Sequence, residues 1–153
     1  MKPSGPKSER QSIHILLVED DPDDVWVMRN LLGDRWDGPF KLSHAELLSA
    51  GLERLSEFPF DIILLDLSLP DSQGLETFFT MHAHAGDVPI VVLTTSTSRD
   101  DIGFCYRMGV NSYVTKPATF RGLVELLGML GRYWFELVEL PVVDAERREG
   151  KSQ

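Results

Sequence analysis

The sequence predicts an α/β domain: one five-stranded, mostly parallel sheet covered by helices on both faces. Three observations lead there. Strand-like and helix-like segments alternate five times between residues 13 and 139, and strict alternation within one domain implies parallel strands joined by right-handed crossovers. Several strand-like runs are apolar almost without a break, the pattern of strands buried on both sides. The chain is 153 residues long, enough for one domain with a sizeable core at about 100–200 residues per domain.

Taken in order, the first strand is read at Ile13 to Val18, and Asp21-Pro22 then supplies an N-cap and a proline at N1 for a helix over Pro22 to Leu32. A second strand, Phe40 to His44, leads into a helix over Glu46 to Phe58. The third strand, Asp61 to Asp66, carries Ile62-Ile63-Leu64-Leu65 and precedes a helix over Leu75 to His84. The fourth, Val88 to Thr94, is followed by a helix over Asp100 to Met108. Ser98 with Asp101 three residues on resembles a capping box with the shorter acid, and Gly109 fits the position just past the helix end. The fifth strand, Asn111 to Thr115, leads to a long helix from Phe120 to about Glu139. Residues 1–12 and 142–153 are polar and without apolar periodicity, so the domain is expected over 13–141 between two tails.

Twenty-four acidic residues against fifteen basic ones give a net charge of −9 and a pI near 4.8. That balance disfavours nucleic acid and anionic membrane surfaces as partners, since both need a cationic face. The apolar runs fall well short of the ~20 residues that span a bilayer. Cys105 is the single cysteine and has no partner for an intramolecular disulfide; it reads as a packing residue. With no apolar signal core in residues 1–12, the expected location is the cytoplasm. His14, His44, His82 and His84 show no His-x-x-x-His spacing, which speaks against a histidine metal site.

In a parallel α/β sheet, sites form beyond the carboxyl ends of the strands, at the topological switch point. The first strand runs directly into Glu19, Asp20, Asp21, Asp23 and Asp24, five carboxylates within six residues. Alone, such acids read equally well as solvated groups favoured by a helix N-terminus. The third strand ends in Asp66, an expensive way to finish a buried strand unless something pairs with it. In the flavodoxin-like strand order 2-1-3-4-5 the first and third strands are neighbours, so Glu19, Asp20 and Asp66 would converge. Three carboxylates in one place need a cation, and hard oxygen ligands suit Mg²⁺. The fourth strand contributes the hydroxyl of Thr94 and the fifth leads to Lys116-Pro117. A lysine, a hydroxyl, a divalent cation and a nucleophilic carboxylate together make a phosphoryl site.

These residues resemble the receiver domain of two-component response regulators, over roughly residues 13 to 138. The opening pattern stands as Ile15-Leu16-Leu17-Val18-Glu19-Asp20-Asp21-Pro22, and the acceptor segment as Asp61-Ile62-Ile63-Leu64-Leu65-Asp66-Leu67-Ser68-Leu69-Pro70 followed by Gly74. The resemblance implies Asp66 as phosphoacceptor. It implies Mg²⁺ or Mn²⁺ held by Glu19, Asp20, Asp66 and the Ser68 carbonyl, with Thr94 as switch hydroxyl, Tyr113 as switch aromatic and Lys116 pairing with phosphate. Thr95, Val110 and Ala118 depart from residues frequent in the family but leave that set intact; Thr95 adds bulk beside the phosphate, where it bears on switch geometry and acyl-phosphate lifetime. Leu93-Thr94-Thr95-Ser96, Leu69-Pro70 and the long last helix look most like the stand-alone regulators that partner bacterial and cyanobacterial phytochrome histidine kinases. The implied partner is therefore a sensor histidine kinase of phytochrome type, and the implied chemistry is confined to the protein's own phosphorylation and dephosphorylation.

Little chain follows Lys116-Pro117, so output is expected through protein contact, with a phosphate sink, a relay intermediate or a phosphorylation-independent adaptor as alternatives. A flavin mononucleotide carrier would share the fold, but its phosphate would meet five carboxylates. A haloacid-dehalogenase-like phosphatase would need a second acid two residues after Asp66, where Ser68 stands. On the last helix, Phe120, Leu123, Leu127, Leu130, Trp134 and Leu137 form one core-facing stripe. Leu126, Met129, Tyr133 and Leu140, flanked by Phe135 and Val138, are left over. That surplus predicts a homodimer through this helix centred on Tyr133, Trp134 and Phe135, the alternative being that the helix end folds back over its own domain.

Overall fold

The computed structural model describes residues 12–35 and 40–141. Apart from Ser12, the two expected tails lie outside the described residues. Five strands, β1 (Ile13–Val18), β2 (Phe40–Ala45), β3 (Ile62–Leu65), β4 (Ile90–Thr94) and β5 (Ser112–Thr115), form one sheet. Their spatial order is β2-β1-β3-β4-β5 and every pairing is parallel, as expected. The helices are α1 (Pro22–Arg35), α2 (Leu48–Glu57), α3 (Leu75–Ala85), α4 (Arg99–Arg107) and α5 (Phe120–Gly131). No helix among the described residues is long and apolar enough to cross a membrane.

Alternate side chains along each strand point to opposite faces, and two apolar layers result. Leu16, Val18, Ile63, Leu65 and Val92 pack under α2, α3 and α4 with Leu55, Phe78, Met81 and Cys105. Ile15, Leu17, Ile62, Leu64, Val91 and Leu93 pack under α1 and α5 with Val25, Met28, Leu123 and Leu127. Each fully buried Leu or Ile contributes roughly 1.5–3 kcal/mol. Gly51 lets α2 approach β1: a Cβ there would sit 2.9 Å from a Val18 methyl.

Local signals hold at several ends. The Asp21 carboxylate accepts from the Asp23 and Asp24 amides at 2.9 and 3.4 Å, and Gly109 ends α4 with φ +101°. The Ser98 hydroxyl caps α4 through the Asp101 amide at 3.3 Å, but the Asp101 carboxylate turns to the Ser96 hydroxyl at 3.2 Å instead of closing a reciprocal box. α2 starts at Leu48, two residues later than expected, because its cap comes from elsewhere in the chain. The amides of Leu48 and Ser49 donate to the Asp71 carboxylate at 2.8 and 3.0 Å. Asp71 sits at the turn of a short antiparallel ribbon, Ser68–Leu69 with Ser72–Gln73, which local patterning did not announce.

The largest departure lies at the end of the last helix. Beyond Gly131 the chain winds as a π-helix over Arg132–Leu137, with the Val138 amide donating to the Tyr133 carbonyl five residues back at 2.9 Å. Bonding to i−5 instead of i−4 adds about one residue to the turn, so side chains past Gly131 are rotated away from a 3.6-residue pattern. Trp134, assigned both to the core stripe and to the interface, and Phe135, assigned to the interface, are 6% and 7% exposed and pack in the layer beneath α1 and α5. Val138 and Leu140 also fold back onto that layer. Leu137, assigned to the core stripe, is 70% exposed, and Phe120, at the first position of α5, is 64% exposed. The Trp134 Nε1 finds no hydrogen-bond partner among the described residues. That deficit costs about 1–3 kcal/mol, so apolar contact alone holds the indole in place.

Candidate functional site

The parallel register brings the chemistry to one end of the sheet. Val18 of β1 pairs with Leu65 of β3, so Glu19 and Asp66 leave the two strands side by side. Thr94 pairs with Thr115, and the Lys116 amide donates to the Thr94 carbonyl at 2.7 Å, which sets the lysine at the same rim. Backbone bonds fix both acids: the Glu19 amide donates to the Ala45 carbonyl at 3.0 Å and the Asp66 amide to the Val18 carbonyl at 2.9 Å. The His44 imidazole, through Nε2, bonds the Glu19 carbonyl at 2.7 Å.

Glu19 and Asp66 are buried while Asp20 is exposed, and one oxygen from each of the three lies within 4.8 Å of the others. Lys116 Nζ donates to Glu19 Oε2, to Asp66 Oδ2 at 2.9 Å and to Asp24 Oδ2 at 2.9 Å. Asp66 Oδ1 accepts from the Ser68 amide at 3.0 Å. Both carboxylate oxygens of Asp66 therefore have donors that fix their orientation.

One ammonium serves several acids. Burial first, and the neighbouring Asp66 next, push the Glu19 carboxyl up to about 8, against the opposing pull of Lys116. For Lys116, burial disfavours the charge, but the bond to Glu19 and then those to Asp24 and Asp66 outweigh it and hold the ammonium well above its ordinary value. A set of hard oxygen donors with more negative than positive charge fits Mg²⁺ or Mn²⁺ and does not fit a soft transition metal. Glu19, Asp20 and Asp66 are the side chains that would hold such an ion.

Thr94 ends β4 at 2% exposure, and its Oγ1 accepts from the Ser96 amide at 3.4 Å. Tyr113 of β5 donates its phenol hydrogen to the Ser96 carbonyl at 3.0 Å, and burial raises that phenol. Ser96 thus touches both residues expected to switch, and through its hydroxyl reaches Asp101 of α4. Of the expected residues, Glu19, Asp20, Asp66 and Lys116 converge, while Thr94 and Tyr113 meet at Ser96. The Ser68 side chain is exposed and donates to Gln73 Oε1 at 3.0 Å. Sequence reasoning missed three contributors. Asp24 was grouped with solvated acids, its one signal being that it opens a helix directly behind the acid pair. His44 and Ser96 act through long-range backbone bonds, for which local sequence carries no signal.

A parallel sheet that gathers acids and a lysine at one rim defines a candidate site for a divalent cation, and comparison with known proteins gives the family. The family model described as "Response regulator receiver domain" matches residues 15–128, so the chain belongs to the receiver domains of response regulators. Among curated proteins it is 36% identical over 83 residues to response regulator Rcp1 of Synechocystis sp. (strain ATCC 27184 / PCC 6803 / Kazusa), covering 53% of this chain and 56% of that protein. The matches span between 23% and 62% of the length of four curated relatives. Among solved structures, the Mn²⁺-bound form of Rcp1 superposes with a TM-score of 0.79 at 30% identity, over 85% of this chain and 99% of the other. The phosphorylated cyanobacterial phytochrome response regulator RcpA gives 0.78 at 27% identity, over 86% and 100%.

Proposed function

We propose that this receiver accepts a phosphoryl group on Asp66 from a sensor histidine kinase of phytochrome type, in a Mg²⁺- or Mn²⁺-dependent reaction in the cytoplasm. The receiver unit is residues 13–141, and it signals by protein contact, catalysing nothing beyond its own phosphorylation and dephosphorylation. The likeness to Rcp1 and RcpA supports the kinase type. The observation that carries the proposal is the donor pair on Asp66: the Ser68 amide on Oδ1 and Lys116 Nζ on Oδ2, at 3.0 and 2.9 Å. They hold a carboxylate with its nucleophilic oxygens at the mouth of the rim.

A carboxylate oxygen of Asp66 attacks phosphorus in a phosphohistidine. The O–P bond forms as the P–N bond breaks, and the imidazole leaves with the bonding pair, neutral when its other ring nitrogen carries a proton. Lys116 then donates to a phosphoryl oxygen, and Thr94 supplies a hydroxyl from the neighbouring strand. Glu19, Asp20, Asp66 and the Ser68 carbonyl would hold a divalent ion, whose charge would offset that of the phosphoryl oxygens. Thr94 and Tyr113 carry the change onward through Ser96, shifting an existing equilibrium of the β4–α4 loop.

Asp66→Asn tests the assignment. Incubated with acetyl phosphate and Mg²⁺, the wild type gains one hydroxylamine-sensitive phosphate and the variant gains none while keeping its circular dichroism spectrum. Labelling of the variant at the wild-type rate would place the acceptor elsewhere. Self-association is also proposed, through the exposed residues Met129, Tyr133 and Leu137 at the end of the last helix.

A further inference from the structure

We infer that Asp24 is a positioning residue for Lys116, the partner that keeps the ammonium at the rim when Glu19 and Asp66 are otherwise engaged. An ammonium has three hydrogens to donate, and here they go to Glu19, Asp24 and Asp66. Two of those acceptors, Glu19 and Asp66, also belong to the group of three carboxylates close enough to share a cation, and Asp24 does not. A carboxylate oxygen of Asp66 is moreover the atom that takes the phosphoryl group as an acyl phosphate. Phosphorylation in the presence of a divalent ion therefore withdraws two of the three carboxylates and leaves Asp24 as the remaining carboxylate on Lys116, beside the phosphoryl oxygen. Asp24 is suited to that part. It lies in the first turn of α1, where the Asp21 carboxylate accepts from its amide at 3.4 Å, and it is 18% exposed against 7% for Lys116. Lysine carries a long flexible stem whose rotamer freedom is costly to fix. An anchor outside the metal group fixes the ammonium before the phosphoryl group arrives.

This inference rests on Asp66 being the acceptor, and the experiment separates the two. In the full chain with Mg²⁺ and acetyl phosphate, the carboxylate oxygen of Asp66 attacks phosphorus as acetate leaves. Asp24→Ala is expected to slow that labelling about tenfold, the scale of one charge-assisted hydrogen bond. Asp24→Asn keeps an oxygen acceptor without the charge and recovers part of the rate. Mg²⁺ affinity, followed separately by isothermal titration, changes less than labelling does because Asp24 is outside the carboxylate group. The decisive reading is the double substitution: once Lys116→Ala has removed the ammonium, Asp24→Ala has no further effect. Wild-type labelling by both Asp24 variants, or an Asp24→Ala effect of the same size with and without Lys116, overturns the inference. An Asp66→Asn protein that still labels overturns the acceptor assignment instead.

Discussion

Lys116 is the one cation among the described contacts of Glu19, Asp24 and Asp66, and its removal acts on two properties in opposite directions. Lys116→Ala should lower phosphoryl transfer to Asp66 by about a hundredfold, since the charge that meets the phosphoryl oxygens is gone. The same change should tighten Mg²⁺ binding about tenfold, because a positive charge no longer competes for the carboxylates. Isothermal titration with Mg²⁺ reads the second effect without any chemistry, and weaker metal binding in the variant would contradict this account of the pocket. At this scale the sequence was informative wherever a residue ends a strand. Glu19, Asp66, Thr94 and Lys116 were found by position because a parallel sheet delivers its strand ends to one rim. Asp24 was not, since its role depends on how far a lysine 92 residues later can reach.

Among the elements, α2 depends on a cap that it does not carry. Asp71 supplies both acceptor oxygens to the first turn of α2, and those bonds, the Ser49 amide foremost, hold its carboxyl below the usual carboxylate range. A carboxyl that is more acidic in the folded state stabilises the fold above its unfolded value and loses that contribution as pH falls through the folded one. Asp71→Ala should therefore cost about 0.5–1 kcal/mol at neutral pH, with the difference from wild type narrowing in strong acid. Thermal melts at pH 7 and at about pH 2, below the usual carboxylate range, check both halves. The strand and helix order was legible from apolar periodicity, as were the N-terminus of α1 and the end of α4. The Asp71 cap was not, because a helix start was sought in the residues before it. The π-helical turn was also hidden: Phe120 to Leu130 repeat at three and four, and nothing in Arg132 to Leu137 signals the change of winding that buries Phe135 and exposes Leu137.

For the molecule as a whole, the turn relocates the surface open to a second copy. Met129 and Tyr133 are 63% and 53% exposed on the last helix, whereas Phe135 serves the core. Met129→Glu with Tyr133→Glu should convert a dimer at micromolar concentration into a folded monomer, read by light scattering, while Asp66 still labels. A wild-type mass of one chain sinks the dimer. Sheet topology was readable at this scale because β-α alternation leaves few arrangements, and the flavodoxin-like strand order in turn placed the two acid groups together. The two apolar layers carry a consequence for communication. Tyr113 packs against the layer beneath α2, α3 and α4, whereas the last helix rests on the opposite layer. Five strands of hydrogen-bonded backbone stand between them. On the proposed function, an event at Asp66 that travels by Thr94, Ser96 and Tyr113 would reach α4, which Ser96 contacts through Asp101. The self-association proposed for the last helix would then use the opposite face of the sheet from the one that α4 covers.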